Sequence, residues 1–228
     1  MYSVIIPAAG TGSRMRLGHN KLFYKVSEQT VIERTVNKFA VDQKCKQIIL
    51  TVSNTDLEKM KEIFPNHQAV KIIIGGKTRQ ESIYNALEKV TEEIVIVHDG
   101  ARPFVTSKVI DNCYDMAKKR FGAIAAVLPK DTIKQCHPSK VDTVSHTLSR
   151  NELVAVQTPQ AFPTSVLKKA NELAHNDRAL SEATDDASLV EKYTDIDIKI
   201  VEGDYKNIKF TTPEDIEYFE FLMKKGDS

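Results

Sequence analysis

Short apolar runs alternate along this chain with longer stretches whose apolar residues recur every three or four positions. Residues 2–6 form the first run, rich in β-branched side chains and ending in Ala8, Ala9 and Gly10, which reads as a buried strand entering a tight loop. Val31–Ala40 has helical spacing and is followed by a strand over 47–52. Asn54 or Thr55 is placed to cap a helix through Leu57, Met60 and Phe64, which Pro65 stops. Val70–Ile74 is another strand, closed by Gly75-Gly76, and a helix over 79–89 leads to the apolar run Ile94–Val97. After His98-Asp99-Gly100-Ala101-Arg102-Pro103 the order repeats, with a helix over 107–120 and a strand over 123–128.

Such alternation predicts a three-layer α/β fold with a mostly parallel sheet. Ligands in such sheets bind beyond the carboxyl ends of the strands. The Gly10, Gly75-Gly76 and Asp99 loops all follow strands, so three candidate binding loops share one edge.

Residues 129–150 break the pattern. They are polar, partly β-branched and without helical periodicity, which fits a projecting hairpin arm better than a linker. The core pattern resumes at 153–156, followed by Gln157-Thr158-Pro159-Gln160 and a helix from about residue 163 to 173. Thr184 reads as a helix cap with Asp185 and Asp186 in the first turn. Strands are expected over 196–201 and 206–210. Thr212-Pro213-Glu214-Asp215 then signals a last helix, with Thr212 as cap and Pro213 at its first position. The 228 residues read as one domain carrying an arm at about 130–151.

Composition narrows the function classes. Hydrophobic residues at 41% and charged residues at 28% are ordinary for a globular protein. A net charge of +1 leaves no broad electrostatic footprint for nucleic acid or an anionic membrane, so neither is expected as a partner. No apolar run has the length of a membrane span, and the first residues lack the basic and apolar regions of a secretory signal. Cys45, Cys113 and Cys136 are widely spaced and form no CxxC pair. A reduced, cytoplasmic protein is the expectation.

The candidate chemistry lies in the loops. Backbone N–H groups gathered around Gly10 and Gly12 suit phosphate, and Arg14 adds a permanent bidentate charge. The spacing matches neither the dinucleotide fingerprint nor the P-loop, and by itself it is equally a plain strand-to-helix turn. Lys21 flanks the same loop. Lys209 interrupts the apolar pair Ile208 and Phe210, so it differs from an ordinary solvated lysine and is placed to neutralise developing charge. Asp99 ends an apolar run, where a carboxylate suits magnesium or a loop cap. His98 reads as a loop anchor rather than a base. The six histidines have no metal-ligand spacing, and the absence of a G-x-S-x-G elbow disfavours acyl transfer.

Taken together, the motifs carry a resemblance. They are P-A-A-G-T-G-S-R-M at 7–15, N-K-L-F at 20–23, G-G-x-x-R-x-x-S at 75–82, H-D-G-A-R-P-F at 98–104, V-Q-T-P-Q-A-F at 156–162, T-D-D-A-S-L-V-E at 184–191 and N-I-K-F-T-T-P-E-D at 207–215. In this order they resemble the 2-C-methyl-D-erythritol 4-phosphate cytidylyltransferases of non-mevalonate isoprenoid synthesis. The resemblance spans nearly the whole chain and implies a Rossmann-like nucleotidyltransferase fold. The related ribitol 5-phosphate cytidylyltransferases of teichoic acid synthesis tend to open with A-G-G and to carry P-K-Q-F, so A-A-G and N-K-L-F favour the isoprenoid family.

What the resemblance implies is transfer of CMP from CTP to methylerythritol phosphate, with magnesium present and pyrophosphate released. Arg14, Lys21 and Lys209 would contact the triphosphate, while Ala8, Ala9, Gly76 and Ser82 would hold the nucleotide with the Gly10 and Gly12 loop. Asp99, Arg102, Thr158 and Thr184 would line the acceptor side, and Thr132 and Arg150 would reach in from the arm of a homodimer. Asp99 is also the candidate magnesium ligand. Lys77 departs from the pattern, since many members of the family have an acid there. A non-catalytic nucleotide-binding or NAD-dependent protein is the alternative from another class. A dehydrogenase would want a third glycine in the first loop and an acid ending the second strand, where this chain has Val52-Ser53-Asn54.

Overall fold

A computed structural model describes residues 1–10, 20–26, 28–65 and 67–226. Arg14 and Gly12 lie outside the described residues. The chain opens with β1 (Tyr2–Pro7), a small antiparallel pair β2 (Lys25–Val26) and β3 (Gln29–Thr30), and α1 (Val31–Ala40). Thr30 caps α1 in a reciprocal box with Glu33, each side chain bonding the other residue's backbone N–H. There follow β4 (Cys45–Val52), α2 (Leu57–Ile63), β5 (Val70–Ile74), α3 (Arg79–Leu87), β6 (Ile94–Val97), α4 (Ser107–Lys118) and β7 (Gly122–Val127). The second half contains β8 (Lys134–His137), β9 (Lys140–Thr147), β10 (Ala155–Pro163), α5 (Thr164–Asn176), α6 (Asp186–Tyr193), β11 (Ile198–Glu202) and α7 (Asp215–Gly226).

Among the described residues, seven strands form one sheet in the order β11-β7-β10-β6-β1-β4-β5. All neighbours are parallel except at β10, which runs antiparallel to both β6 and β7. The pleat sends alternate residues to two cores. Val4 and Ile6 pack with α1, α4 and α7, whereas Ile5 packs with α3, α5 and α6; β6 divides in the same way between Ile96 and its neighbours Val95 and Val97. This is the expected three-layer α/β arrangement. No helix among the described residues is long and apolar enough to cross a membrane.

The reversal at β10 positions the site. Parallel strands deliver their carboxyl ends to the binding edge, and an antiparallel strand delivers its amino end there. Gln157 and Thr158 therefore sit beside the loop that follows β6. The arm is a hairpin, as expected: β8 pairs with β9, and both strands are exposed along their length.

Four local expectations change. Ser53, not Asn54 or Thr55, caps a 3-10 turn over Asn54–Asp56, which runs into α2. Asp185, not Thr184, caps α6, accepting from Ser188 N–H at 2.9 Å; the Asp carboxylate reaches the free amide, and Thr184 is exposed one residue outside. Residues 206–210 form no strand, because their backbone groups are taken by the site: Arg102 Nη1 donates to Asn207 O at 2.7 Å, and Phe210 N–H donates to Ala101 O at 2.8 Å. The last helix starts at Asp215 rather than Pro213, since the Asp215 carboxylate accepts from Thr211 N–H at 2.7 Å and Thr212 N–H at 2.8 Å and holds a turn ahead of it.

Candidate active site

A cavity of about 380 Å³ opens where the three strand-end loops meet. Ala8, Ala9 and Gly10 enter it after β1, Gly76 after β5, Ser82 from α3, Asp99 after β6, Lys21 from the turn before β2, and Lys209 from the segment after β11. Eight of the residues singled out from the sequence thus share one cavity. Lys77, Arg79 and Thr211 also line it.

Each wall has a local cause. Asn20 donates to Ala8 O and to Asp56 Oδ2, both at 2.9 Å, and caps the Lys21 turn by accepting from Leu22 N–H. One buried amide therefore ties Lys21 to the first loop. Lys21 Nζ donates to the Phe210 carbonyl, which joins that loop to the Lys209 segment. On the far wall, Gly75 and Gly76 lie against α3. A Cβ on Gly76 would stand 2.3 Å from Glu81 Cβ, and one on Gly75 would stand 2.6 Å from Ser82 Oγ, so close approach excludes side chains at both. Ser82 Oγ donates to Thr78 O at 2.8 Å and accepts from Gly76 N–H at 3.0 Å, so Ser82 shapes the glycine turn.

Asp99 is the electrostatic centre. Its Oδ2 lies 3.0 Å from Lys209 Nζ and 3.4 Å from Arg102 Nε, and its Oδ1 lies 3.4 Å from Arg79 Nε. Burial resists ionisation, but Arg79, Lys209 and Arg102 hold the carboxyl well below the usual carboxylate range. Behind it, Asp99 N–H donates to Thr158 Oγ1 at 3.0 Å. Thr158 lies 3.2 Å from His98 Nδ1, and His98 Nε2 lies 3.0 Å from the Arg102 carbonyl. That carbonyl can only accept, so Nε2 carries the ring proton and Nδ1 accepts from Thr158. Burial pushes His98 from its ordinary 6.5 to about 4. His98 is a neutral loop anchor, as expected.

Arg102 and Thr158 thus act behind Asp99 rather than in the cavity wall. Thr184 is exposed and does not line the cavity, and Thr132 and Arg150 lie on the exposed arm. Arg150 Nη1 donates to Lys130 O at 2.9 Å, closing the base of the arm of its own chain.

Sequence reasoning passed over Arg79, which stood inside the G-G-x-x-R-x-x-S motif. The available signal was its charge: a cation opening a helix opposes the macrodipole and so calls for compensating carboxylates. Asn20 and Asn207 were also missed. Asn207 is fully buried and donates to Thr158 O at 2.8 Å, setting the backbone beside Asp99.

The donor set fits a protein-held magnesium ion poorly. Both Asp99 oxygens already face cations, and the described residues contain no group of three or more acids, histidines or cysteines arranged to hold a metal. The cavity instead presents charges suited to a polyanion.

A family model described as 2-C-methyl-D-erythritol 4-phosphate cytidylyltransferase matches residues 2–225. The chain belongs to this family. It is 44% identical over 227 residues to the protein of that name from Bacillus velezensis, covering 98% of this chain and 96% of that one. It is 41% identical over 230 residues to the one from Halalkalibacterium halodurans, covering 99% and 98%. Among solved structures, the 4-diphosphocytidyl-2C-methyl-D-erythritol synthase of Anaerococcus prevotii superimposes with a TM-score of 0.87 at 29% identity, covering 98% of this chain and 96% of that chain. The Francisella tularensis cytidylyltransferase gives 0.81 at 32% identity, covering 96% and 98%. As a family member the protein is a nucleotidyltransferase of Rossmann-like fold, and these relatives carry the methylerythritol name rather than the ribitol one.

Proposed function

We propose that the cavity seats CTP against a 2-C-methyl-D-erythritol 4-phosphate acceptor and transfers CMP to it. The observation that carries this reading is the convergence of Lys21, Lys209 and Asp99 on the cavity floored by Ala8, Ala9 and Gly10. A phosphate oxygen of the acceptor attacks the α-phosphorus of CTP in line, forming a new P–O bond. The bond from the α-phosphorus to the bridging oxygen breaks, and its electron pair leaves with pyrophosphate. A phosphate monoester with a second pKa near ~6 is already anionic at neutral pH, so the step needs no side-chain base. The barrier lies in bringing two polyanions together and stabilising charge on the transferring group.

Positioned cations meet that need. Arg14, Lys21 and Lys209 contact the triphosphate and stabilise its transition state. Ala8, Ala9, Gly10 and Gly76 hold the nucleotide by close backbone approach, Gly12 is assigned to the same nucleotide-binding set, and Ser82 keeps the Gly76 amide in place. Asp99 faces the acceptor, with Arg102 and Thr158 setting its orientation from behind it. Magnesium bound with the nucleotide would supply neutralisation of phosphate charge, and Asp99, whose two oxygens already face Arg79, Arg102 and Lys209, would not be its protein ligand.

The arm at about 130–151 is the dimerisation element of a single-domain homodimer, and it carries Thr132 and Arg150 to the partner's acceptor side. Exposure along both its strands supports this, because an isolated two-stranded hairpin is marginal until something covers it. The setting is the cytoplasm, where CTP is available.

The test is incubation with CTP, magnesium and methylerythritol phosphate, with pyrophosphate release as the readout. Release with methylerythritol phosphate and not with ribitol 5-phosphate is expected. Turnover only with ribitol phosphate would replace the acceptor, and nucleotide binding without release would make the protein a non-catalytic binder.

A further inference from the structure

Arg79 opens α3 and spans two carboxylates from other elements. Its Nη2 lies 2.9 Å from Asp186 Oδ2, and its Nε lies 3.4 Å from Asp99 Oδ1. Asp186 is fully buried at the start of α6, and neither of its oxygens has a hydrogen-bond partner of good geometry among the described residues. Arg79 is what compensates its charge. The place of Asp186 is itself fixed: Gln160 on β10 donates to Asp185 at 2.8 Å and accepts from Ala187 N–H at 3.0 Å, gripping the helix start from both sides.

From this geometry we infer that Arg79, anchored by buried Asp186, is a positioning residue that fixes the Asp99 carboxylate toward the acceptor. Lys209 and Arg102 both pull on Oδ2, whereas Arg79 holds Oδ1. Two held oxygens set the plane of the carboxylate. With Oδ1 released, only Oδ2 is still held, by Lys209 and Arg102, and the plane of the carboxylate can tilt about that contact and carry Oδ1 away from the acceptor. An arginine suits the task because its rigid fork reaches two acids at once, while an ammonium is a single point charge. The inference rests on the acceptor-side reading of Asp99 given above.

The decisive variant is Arg79→Lys. It keeps a positive charge for buried Asp186, yet one ammonium cannot span both carboxylates. The expected result is an acceptor kcat/KM about tenfold lower, with the KM for CTP changed less than about twofold, because misplacing a positioning contact acts on the substrate it positions. In an Asp99→Asn background the same change should add nothing, since there is no longer a carboxylate to orient. Should Arg79→Lys fail to melt cooperatively, Asp186→Asn removes the buried charge and the anchor together, with the same kinetic signature expected. Wild-type kinetics in a folded Arg79→Lys protein would make the bridge purely structural and overturn the inference. Equal effects on both substrates, or additivity with Asp99→Asn, would also overturn it. Asp99→Asn alone tests the underlying reading separately: unchanged acceptor kinetics there would remove Asp99 from the acceptor side and the inference with it.

Discussion

The Lys209 ammonium rests 3.0 Å from Asp99 Oδ2 in a cavity where the acid sits among three cations. The lysine comes from the segment after β11 and the acid from the loop after β6. This pair holds Lys209 at the cavity while leaving it half-exposed, so its loss should cost activity far more than stability.

Lys209→Ala and Lys21→Ala are each expected to lower turnover by ~100–1,000-fold, about 2.7–4 kcal/mol of transition-state stabilisation, as for removal of a preorganised charge-stabilising donor. Thermal melts should remain cooperative. Pyrophosphate release by a folded Lys209→Ala protein at the wild-type rate would remove that residue from the catalytic set.

Thr158→Val should destabilise the protein by about 1–3 kcal/mol, because it strips the acceptor from Asp99 N–H and the donor from His98 Nδ1 at a buried site. Urea titration measures this. A change within a few tenths of a kcal/mol would mean that the two groups find other partners.

The glycine turn gives a paired test. Gly76→Ala places a methyl within 2.3 Å of Glu81 Cβ and should displace the loop, raising the KM for CTP. Among the described residues a Cβ on Gly10 meets nothing within 4 Å, so Gly10→Ala should fold with unchanged stability. Equal nucleotide affinity in Gly76→Ala and wild type would show that the turn tolerates the shift.

Stability should fall with acid in two windows. His98 folds neutral, lowered by burial from 6.5 to about 4, so the unfolded chain binds the extra proton. Its contribution is complete above about pH 6.5 and is lost as pH falls toward about 4. Asp99, held below its ordinary 3.8, stabilises above that value, and its share is lost further down. The loss between about pH 7 and about pH 5 should therefore shrink in His98→Gln, and an unchanged slope would assign it to other groups.

Arg150 closes its own arm and is proposed to serve the partner's site. Lys21→Ala and Arg150→Ala homodimers should each be nearly inactive, and a mixed dimer would contain one site with both residues intact. Random equal exchange should restore about a quarter of all sites, by the reciprocity of a two-fold interface. Verified exchange without recovered pyrophosphate release would confine Arg150 to its own chain.

Periodicity determined the elements because it reports which side of each strand or helix meets a core. Val31–Ala40, Val70–Ile74 and Ile94–Val97 were legible to the residue, and strands ending in Gly10, Gly75 and Asp99 placed three loops on one edge. The motifs also named most of the cavity wall. What the chain could not express locally was pairing between distant segments. The amino end of β10 reaches the site only because that strand runs against its neighbours, a choice made by the whole sheet. Residues 206–210 have the apolar alternation of a strand, yet Arg102 and the Ala101 carbonyl claim their backbone first. Arg79 looks like any charge at a helix start until α6 brings a buried carboxylate to meet it. An ion pair in the interior depends on where two charges meet and how little water remains between them, and only the packed tertiary structure decides both.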